Sequence, residues 1–350
     1  MNPVRPLLPI AIPIAIPIAI AACDDTTGIE PVTGVETAII LNSIDLSITV
    51  FPADDPDAAA AIGLAAAGSP VSVAARANTV VVPLGFFPAA AVVDLATGDV
   101  GTIPLPENSG ATGVAFLNDS IAYVANPNLG TVSVVNVSAG IAAEEIAVGV
   151  FPQAVAVWGD TALVLNAELG LDFRPARQGV VSAIDASSNA VVGSIFLSGF
   201  NPAAAAYGPD GLLYIVNSGA FGDGNGSLSV VDPTTLDELE HHDGFGEFPG
   251  DIAFDDAGRA YISSFAYGIA VWDAVGDTFI YPPDDPLIAN GHAISSGVSL
   301  DSDGRLYTLI PGDCVAPSVA IRLDSQLAFD REIDVGVCPI AVTFTRVEDQ

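Results

Sequence analysis

Seven times along this chain a short apolar strand opens at a proline or at its degenerate equivalent, and that recurrence limits the fold more than any other feature. Phe151-Pro-Gln-Ala-Val-Ala-Val, Asn201-Pro-Ala-Ala-Ala-Ala-Tyr, Phe248-Pro-Gly-Asp-Ile-Ala-Phe and Cys338-Pro-Ile-Ala-Val-Thr-Phe align with one another. Ser69-Pro-Val-Ser-Val-Ala joins them, and Thr112-Gly-Val-Ala-Phe and Ser296-Gly-Val-Ser-Leu are degenerate copies. The starts fall near 70, 112, 152, 202, 249, 296 and 339, 40 to 50 residues apart. A period of this length marks one supersecondary unit that buries its apolar faces only against its neighbours.

The residues after each start recur as well. A tight turn comes first, as in Asn118-Asp119, Gly159-Asp160, Asp210-Gly211, Asp256-Ala-Gly258 and Asp303-Gly304. An apolar strand often ending in Asn comes next, as in Ala122 to Asn126, Ala162 to Asn166 and Leu213 to Asn217. A third strand (Thr131-Val-Ser-Val-Val, Val180 to Asp185, Ser227 to Asp232) and a weaker fourth complete the unit. Val- and Ile-rich runs bounded by Gly, Asn and Asp read as strands and hairpin turns. Four short antiparallel strands per unit describe a propeller blade. The seventh start supplies a single strand before the chain stops, and the N-terminal segment holds the complementary three: Ala38 to Asn42, Leu46 to Phe51 and Ala58 to Leu64. One strand plus three closes a ring, which removes exposed sheet edges. The expected fold is therefore all-β: a seven-bladed β-propeller over residues 38–350.

The stretch Tyr123-Val-Ala-Asn-Pro-Asn-Leu-Gly-Thr-Val-Ser-Val-Val-Asn136, running on to Ile146-Ala-Val-Gly-Val-Phe-Pro152, resembles the repeat of YVTN-type β-propeller proteins, and Asn217 to Asp232 echoes it. The resemblance is good over blades two to four and loose elsewhere. It implies a seven-bladed fold and an extracytoplasmic life. It implies no single activity, because the family and its relatives span surface proteins, binding proteins, lactonase-like enzymes and haem-containing reductases.

The N-terminus agrees with export. Arg5 is the only charge before Asp24, and the 16 residues Leu7 to Ala22 are apolar and end in Ile-Ala-Ala directly before Cys23. That pattern describes a secretion signal and resembles a bacterial lipoprotein signal, with residues 1–22 removed, Cys23 lipidated and 23–37 a tether. The stretch is shorter than the roughly 20 residues of a spanning helix, and Pro9, Pro13 and Pro17 interrupt it. The expected location is extracytoplasmic, anchored to a bacterial membrane through the lipid. With Cys23 lipidated, Cys314 and Cys338 remain. The fold puts Cys314 between the second and third strands of blade six and Cys338 at the entry to blade seven, on one face, so a disulfide is expected there.

Charge limits the partners. The chain carries 42 acidic and nine basic residues, a net charge of −33, and all nine basic residues are Arg. Nucleic acid binding needs a basic footprint and is excluded as a function. Ligands of propellers commonly sit on the face built by the loops entering each blade and those joining its second and third strands. Two of the latter are long: Asn166 to Gly179, with Glu168, Asp172, Phe173, Arg174 and Arg177, and Asn217 to Ser227, with Phe221, Asp223 and Asn225. Arg174 and Arg177 are placed to clamp an anion or to pair with Glu168 and Asp172. Phe86, Phe87, Phe173 and Phe221 are the candidate contacts, whereas Phe151, Phe200 and Phe248 are expected to pack between blades.

Signals for chemistry are few. His292 is the one His expected on the ligand face, and no Ser or Cys nucleophile motif, phosphate loop or metal motif accompanies it, so no catalytic residue, metal or cofactor is assigned. His241 and His242 alternate on a strand and point to opposite faces. Asp255-Asp256 and Asp301-Ser-Asp-Gly304 read as turns, and Asp223-Gly-Asn-Gly-Ser227 lacks the Gly and terminal acid of a calcium loop. The sequence is read as a non-enzymatic binding or scaffold propeller of the cell envelope, with an unidentified protein or small molecule as ligand. A lactonase-like or other hydrolase with its site on the central ligand face is the alternative, and a protein carrying non-covalent haem or quinone a more distant one. The anchor is testable by itself: Cys23→Ser should release the mature protein from the membrane fraction, and a variant that matures and sediments as wild type would refute lipidation at Cys23.

Overall fold

The computed structural model describes residues 34–348. The expected signal sequence, Cys23 and most of the expected tether lie outside the described residues. Seven antiparallel four-stranded sheets follow one another along the chain. Blades one to six each run from first to fourth strand in chain order, and the innermost strand of each touches the innermost strands of both neighbouring blades, so the ring is closed. The innermost strands begin at Ala74, Val114, Pro152, Pro202, Pro249, Val298 and Pro339, at the repeat starts or a few residues beyond them.

Blade seven is built as the sequence implied. Its inner strand is Pro339–Val347, and its other three are Val35–Asn42, Ser47–Pro52 and Ala60–Gly63. Pro339–Val347 pairs antiparallel with Val35–Asn42 from Val35↔Val347 to Asn42↔Pro339. The first strand opens at Val35, three residues before the expected domain start, because Val35 to Thr37 pair with Thr345 to Val347.

The core is divided among the blade boundaries. Among the described residues it forms seven apolar clusters, each joining two adjacent blades. Second and third strands are sandwiched between neighbouring sheets, so both of their faces are buried. In blade seven, Ile39 and Leu41 face blade one beside Val80, Val82 and Leu84, while Ala38 and Ile40 face blade six beside Tyr307 and Leu309. This explains why these strands read as near-continuous apolar runs, as strands covered on both sides do. Fourth strands lie on the outer rim and carry the charges, as in Ile141–Ala147 and Asp237–Asp243.

Recurrent polar contacts fix four of the blades. Asn42, Asn126, Asn166 and Asn217, which end second strands, are fully buried. Each turns its amide onto a hydroxyl of the third strand, at 2.8 to 3.0 Å for Ser133, Ser182, Ser229 and Thr49. Neighbouring blades are tied through proline carbonyls: Ser43, Ser218 and Ser296 donate their hydroxyls to Pro70, Pro249 and Pro339, and the Gln153 amide donates to Pro202, all at 2.6 to 2.7 Å. The residue before the proline has a left-handed backbone in four blades: Phe151, Asn201, Phe248 and Cys338, at φ between 47° and 59°. A side chain rarely holds this conformation, and here it turns the chain from the outer rim of one blade into the inner strand of the next.

The expected cysteine pair is joined. Cys314 and Cys338 form a disulfide with Cα atoms 4.5 Å apart, across 24 positions of sequence. It ties the loop between the second and third strands of blade six to the residue that opens blade seven. The aspartates read as turns behave as turns: Asp255 accepts the backbone N–H of Ala257 and Arg259, and Asp301 those of Asp303 and Arg305.

Candidate functional site

The seven innermost strands surround a central channel of about 540 Å³, lined chiefly by Val71 to Val73, Thr112 to Val114, Gln153 to Val155, Ala203 to Ala205, Gly250, Asp251, Ser296 and Ile340 to Val342. The repeat puts one residue per blade in the same place, two after the proline: Ser72, Gly113, Ala154, Ala204, Asp251, Gly297 and Ala341. Six of these seven are Ser, Gly or Ala. Close packing requires it at Gly113, where a Cβ would sit 2.5 Å from the Ala154 Cα, and at Gly297, where it would meet the Ile340 carbonyl at 3.1 Å. The seventh is an aspartate.

Among the described residues lining the channel, Asp251 alone carries a charge. Its Oδ1 accepts the N–H of Ile252 at 2.9 Å and its Oδ2 that of Val298, in the next blade, at 3.3 Å. Desolvation of the half-buried carboxyl in the channel wall raises its pKa to about 6, and the two backbone donors only partly oppose the shift. Sequence alone did not single out Asp251. The aligned starts contained the signal, an acid where every other copy has a small residue. Only the ring shows that this position faces the channel.

A second cavity, also about 540 Å³, opens between the loops of blades three and four. Phe151, Phe173, Phe221 and Phe248 line it together with Leu169, Asp172, Arg174 and Asn201, and Gln153 lines both this cleft and the channel. Phe151 meets Phe173 edge-on, as Phe248 does Phe221, both with centroids 6.0 Å apart. The Arg174 guanidinium bridges the two long loops through Asp223 at 2.9 Å. The Glu247 carboxylate accepts the N–H groups of Gly222 and Gly224 at 2.6 and 2.9 Å, which holds the second loop from below. Phe173 and Phe221 nevertheless remain 71% and 76% exposed.

The candidates from sequence thus separate. Arg174, Phe173 and Phe221 come together. Arg177 is turned to the buried Glu168 at 2.6 Å, while Arg174 takes Asp223 rather than Asp172. Neither Arg is a free anion clamp. Phe151 and Phe248, expected between blades, line the cleft: Phe248 does pack across a blade boundary, onto Phe221, but Phe151 packs onto Phe173 in its own blade. Phe86 and Phe87 lie in a loop of blade one and line neither cavity, although Phe86 is 87% exposed. His292 is on the outer flank, its Nε2 4.0 Å from Glu332 in the fourth strand of blade six, so it does not converge with Arg174.

His241 and His242 do point apart. His241 faces Glu238, Asp243 and Ser229, and His242 packs at a tilt against Trp272. Glu240 and Asp277 approach His242 on opposite ring nitrogens, both at 3.2 Å, so the two carboxylates flank the ring rather than converge on one nitrogen. Asp223 is taken by Arg174 and the Asn225 side-chain oxygen by the Ala220 N–H, which leaves the loop between them no calcium-loop geometry.

No family model matches the chain, and no curated protein matches it. Solved structures do. Hydrazine synthase of Kuenenia stuttgartiensis superposes with a TM-score of 0.62 at 15% identity, over 82% of this chain and 98% of that one. A functionally unknown protein from Desulfotomaculum acetoxidans superposes with a TM-score of 0.65 at 13% identity, over 89% and 99%. At such identities the likeness shows the fold alone.

The raised pKa of Asp251 has a consequence for stability. Ionising this carboxyl is harder in the folded than in the unfolded chain, so wild type loses stability as pH rises from the ordinary carboxylate range through about 6. Asp251→Asn does not titrate. Urea unfolding of both proteins should show the variant gaining on wild type between about pH 4 and about pH 7, by up to about 3 kcal/mol. A difference that stays flat with pH would contradict the raised pKa.

Proposed function

We propose that this chain is an exported, lipid-anchored binding propeller of the YVTN type, and that the aromatic cleft between blades three and four holds the apolar part of its ligand. One observation carries the reading: two long loops from adjacent blades, tied together by Arg174 and Asp223, keep Phe173 and Phe221 in solvent over a preformed cavity. Leaving large aromatic surface exposed on an otherwise well-packed fold is unfavourable, and such surface commonly marks recognition. Loops of this kind on a rigid scaffold are where binding residues concentrate.

The chemistry of the ligand follows from the lining. Four phenyl rings offer apolar and edge-to-face contacts. Among the described residues, every Arg except Arg346 is already in an ion pair with an acid. The face therefore has no uncompensated cation with which to select a phosphate or carboxylate. A ligand with an apolar or aromatic body, presented by a partner protein or as a free molecule outside the cytoplasm, fits this surface. The hydrolase alternative would place a metal or a His/Arg site at the centre of the face; His292 lies beside Glu332 and Arg177 beside Glu168, which does not favour the His/Arg form.

The neutral dye Nile red is a suitable probe of the cleft. Its fluorescence should rise on binding wild type, and Phe173→Ala with Phe221→Ala should weaken the binding by at least about tenfold, the loss of roughly 1.5–3 kcal/mol expected for buried aromatic contact. Arg174→Ala, which releases the two loops, should cost at least about 1 kcal/mol. Dye binding unaffected by all three changes in folded protein would move the ligand site elsewhere.

A further inference from the structure

We infer that the central channel is a second binding site, whose ligand is a small organic cation, an ammonium or guanidinium group held by the Asp251 carboxylate within an otherwise uncharged wall. This inference does not rest on the reading of the aromatic cleft.

Three features of the channel point to a cation. Its single charge is negative, and none of the eight Arg of the described residues lines it. Three of its polar side chains spend donors on the walls: Ser72 on the Thr112 carbonyl, Gln153 on the Pro202 carbonyl and Ser296 on the Pro339 carbonyl. Among the described lining residues the strongest remaining acceptor is the Asp251 carboxylate. The carboxylate takes one N–H on each oxygen, and an ionised carboxylate has about four acceptor sites. The Thr112 hydroxyl, buried without a partner, is able to accept as well as to donate.

The energetics agree. A carboxylate held among small apolar residues without a counter-cation is destabilising when ionised. The six related positions avoid that cost with Ser, Gly or Ala. A cation entering the channel supplies the missing partner, and the desolvation already imposed by the fold strengthens the attraction. An anion meets the opposite field, in a chain of net charge −33.

A bare metal ion fits poorly. Calcium asks for six to eight oxygens and zinc for nitrogen or sulfur ligands, whereas the equivalent positions flanking Asp251 in the adjacent blades are Ala204 and Gly297. An ammonium or guanidinium on a short alkyl stem needs one carboxylate, a few oxygen acceptors and an apolar wall. The channel holds those in about 540 Å³.

Calorimetric titration of the full chain with n-butylammonium chloride tests this, with sodium butyrate as the control of opposite charge at equal ionic strength. Wild type should bind butylammonium but not butyrate at about pH 8, and about tenfold more weakly at about pH 5, one unit below the carboxyl's pKa of about 6. Asp251→Asn should lose the binding at least about tenfold, while Phe173→Ala should keep it, which separates this site from the cleft. Should the Asn variant not fold, carbon-detected NMR of wild type decides the same question, because saturating butylammonium must move the Asp251 titration to lower pH. Equal binding by wild type and Asp251→Asn, equal binding of butyrate, no detectable butylammonium binding, or an unmoved Asp251 titration would overturn the proposal.

Discussion

The pairing of the C-terminal strand with the N-terminal segment is the contact on which every other part of this structure depends. A propeller has no central core. Its apolar residues are shared among the boundaries between blades, and each boundary needs a sheet on both sides. Without Pro339–Val347 against Val35–Asn42, blade seven has no inner strand, and Ile39, Ile40 and Leu41 are left on a sheet with an open edge. Each such side chain is worth about 2 kcal/mol when fully buried, and an open edge invites pairing with another chain. The Cys314–Cys338 disulfide sits at this seam and closes a loop of 24 positions, for which chain entropy predicts about 3 kcal/mol. The backbone N–H of Ser43 donates to the Cys338 carbonyl at 3.0 Å, so covalent and hydrogen-bonded links meet at one residue.

Closure also creates the channel. Seven inner strands converge only if the residues at their nearest approach are small, and Gly113 and Gly297 show how little room is left. Symmetry of this kind makes exceptions conspicuous. Asp251 is the exception within the channel, and the long loops of blades three and four are the exception on the face above it. Both carry a cost: the Asp251 carboxyl accepts the Val298 N–H of the next blade but costs stability when ionised, and Phe173 and Phe221 leave apolar area in water.

The repeat made the architecture legible from sequence, because the phase of prolines, turns and apolar runs maps directly onto strand order. The two ends were legible for the same reason, one strand missing from the last unit and three left over at the start. The cysteine pair followed once the loops had been assigned to a face. Contacts between loops were not legible. Arg174 lies 49 positions from Asp223, and nothing in the intervening chain distinguishes it from the nearer Asp172. His292 shares its loop class with true face residues but folds outward against Glu332. The left-handed backbone at Phe151 and Phe248 could not be foreseen either, since residues before proline usually extend; here the bend places both rings in the cleft.

Native-state hydrogen exchange measures ring closure most directly. If the seam is the last link of a cooperative ring, the amides of Ile39 to Leu41 and of Val342 and Phe344 should exchange only through global unfolding, as slowly as those of Leu163 and Ile262 in the second strands of blades three and five. Exchange at the seam markedly faster than in those central strands would show that blade seven opens on its own, and would contradict the account.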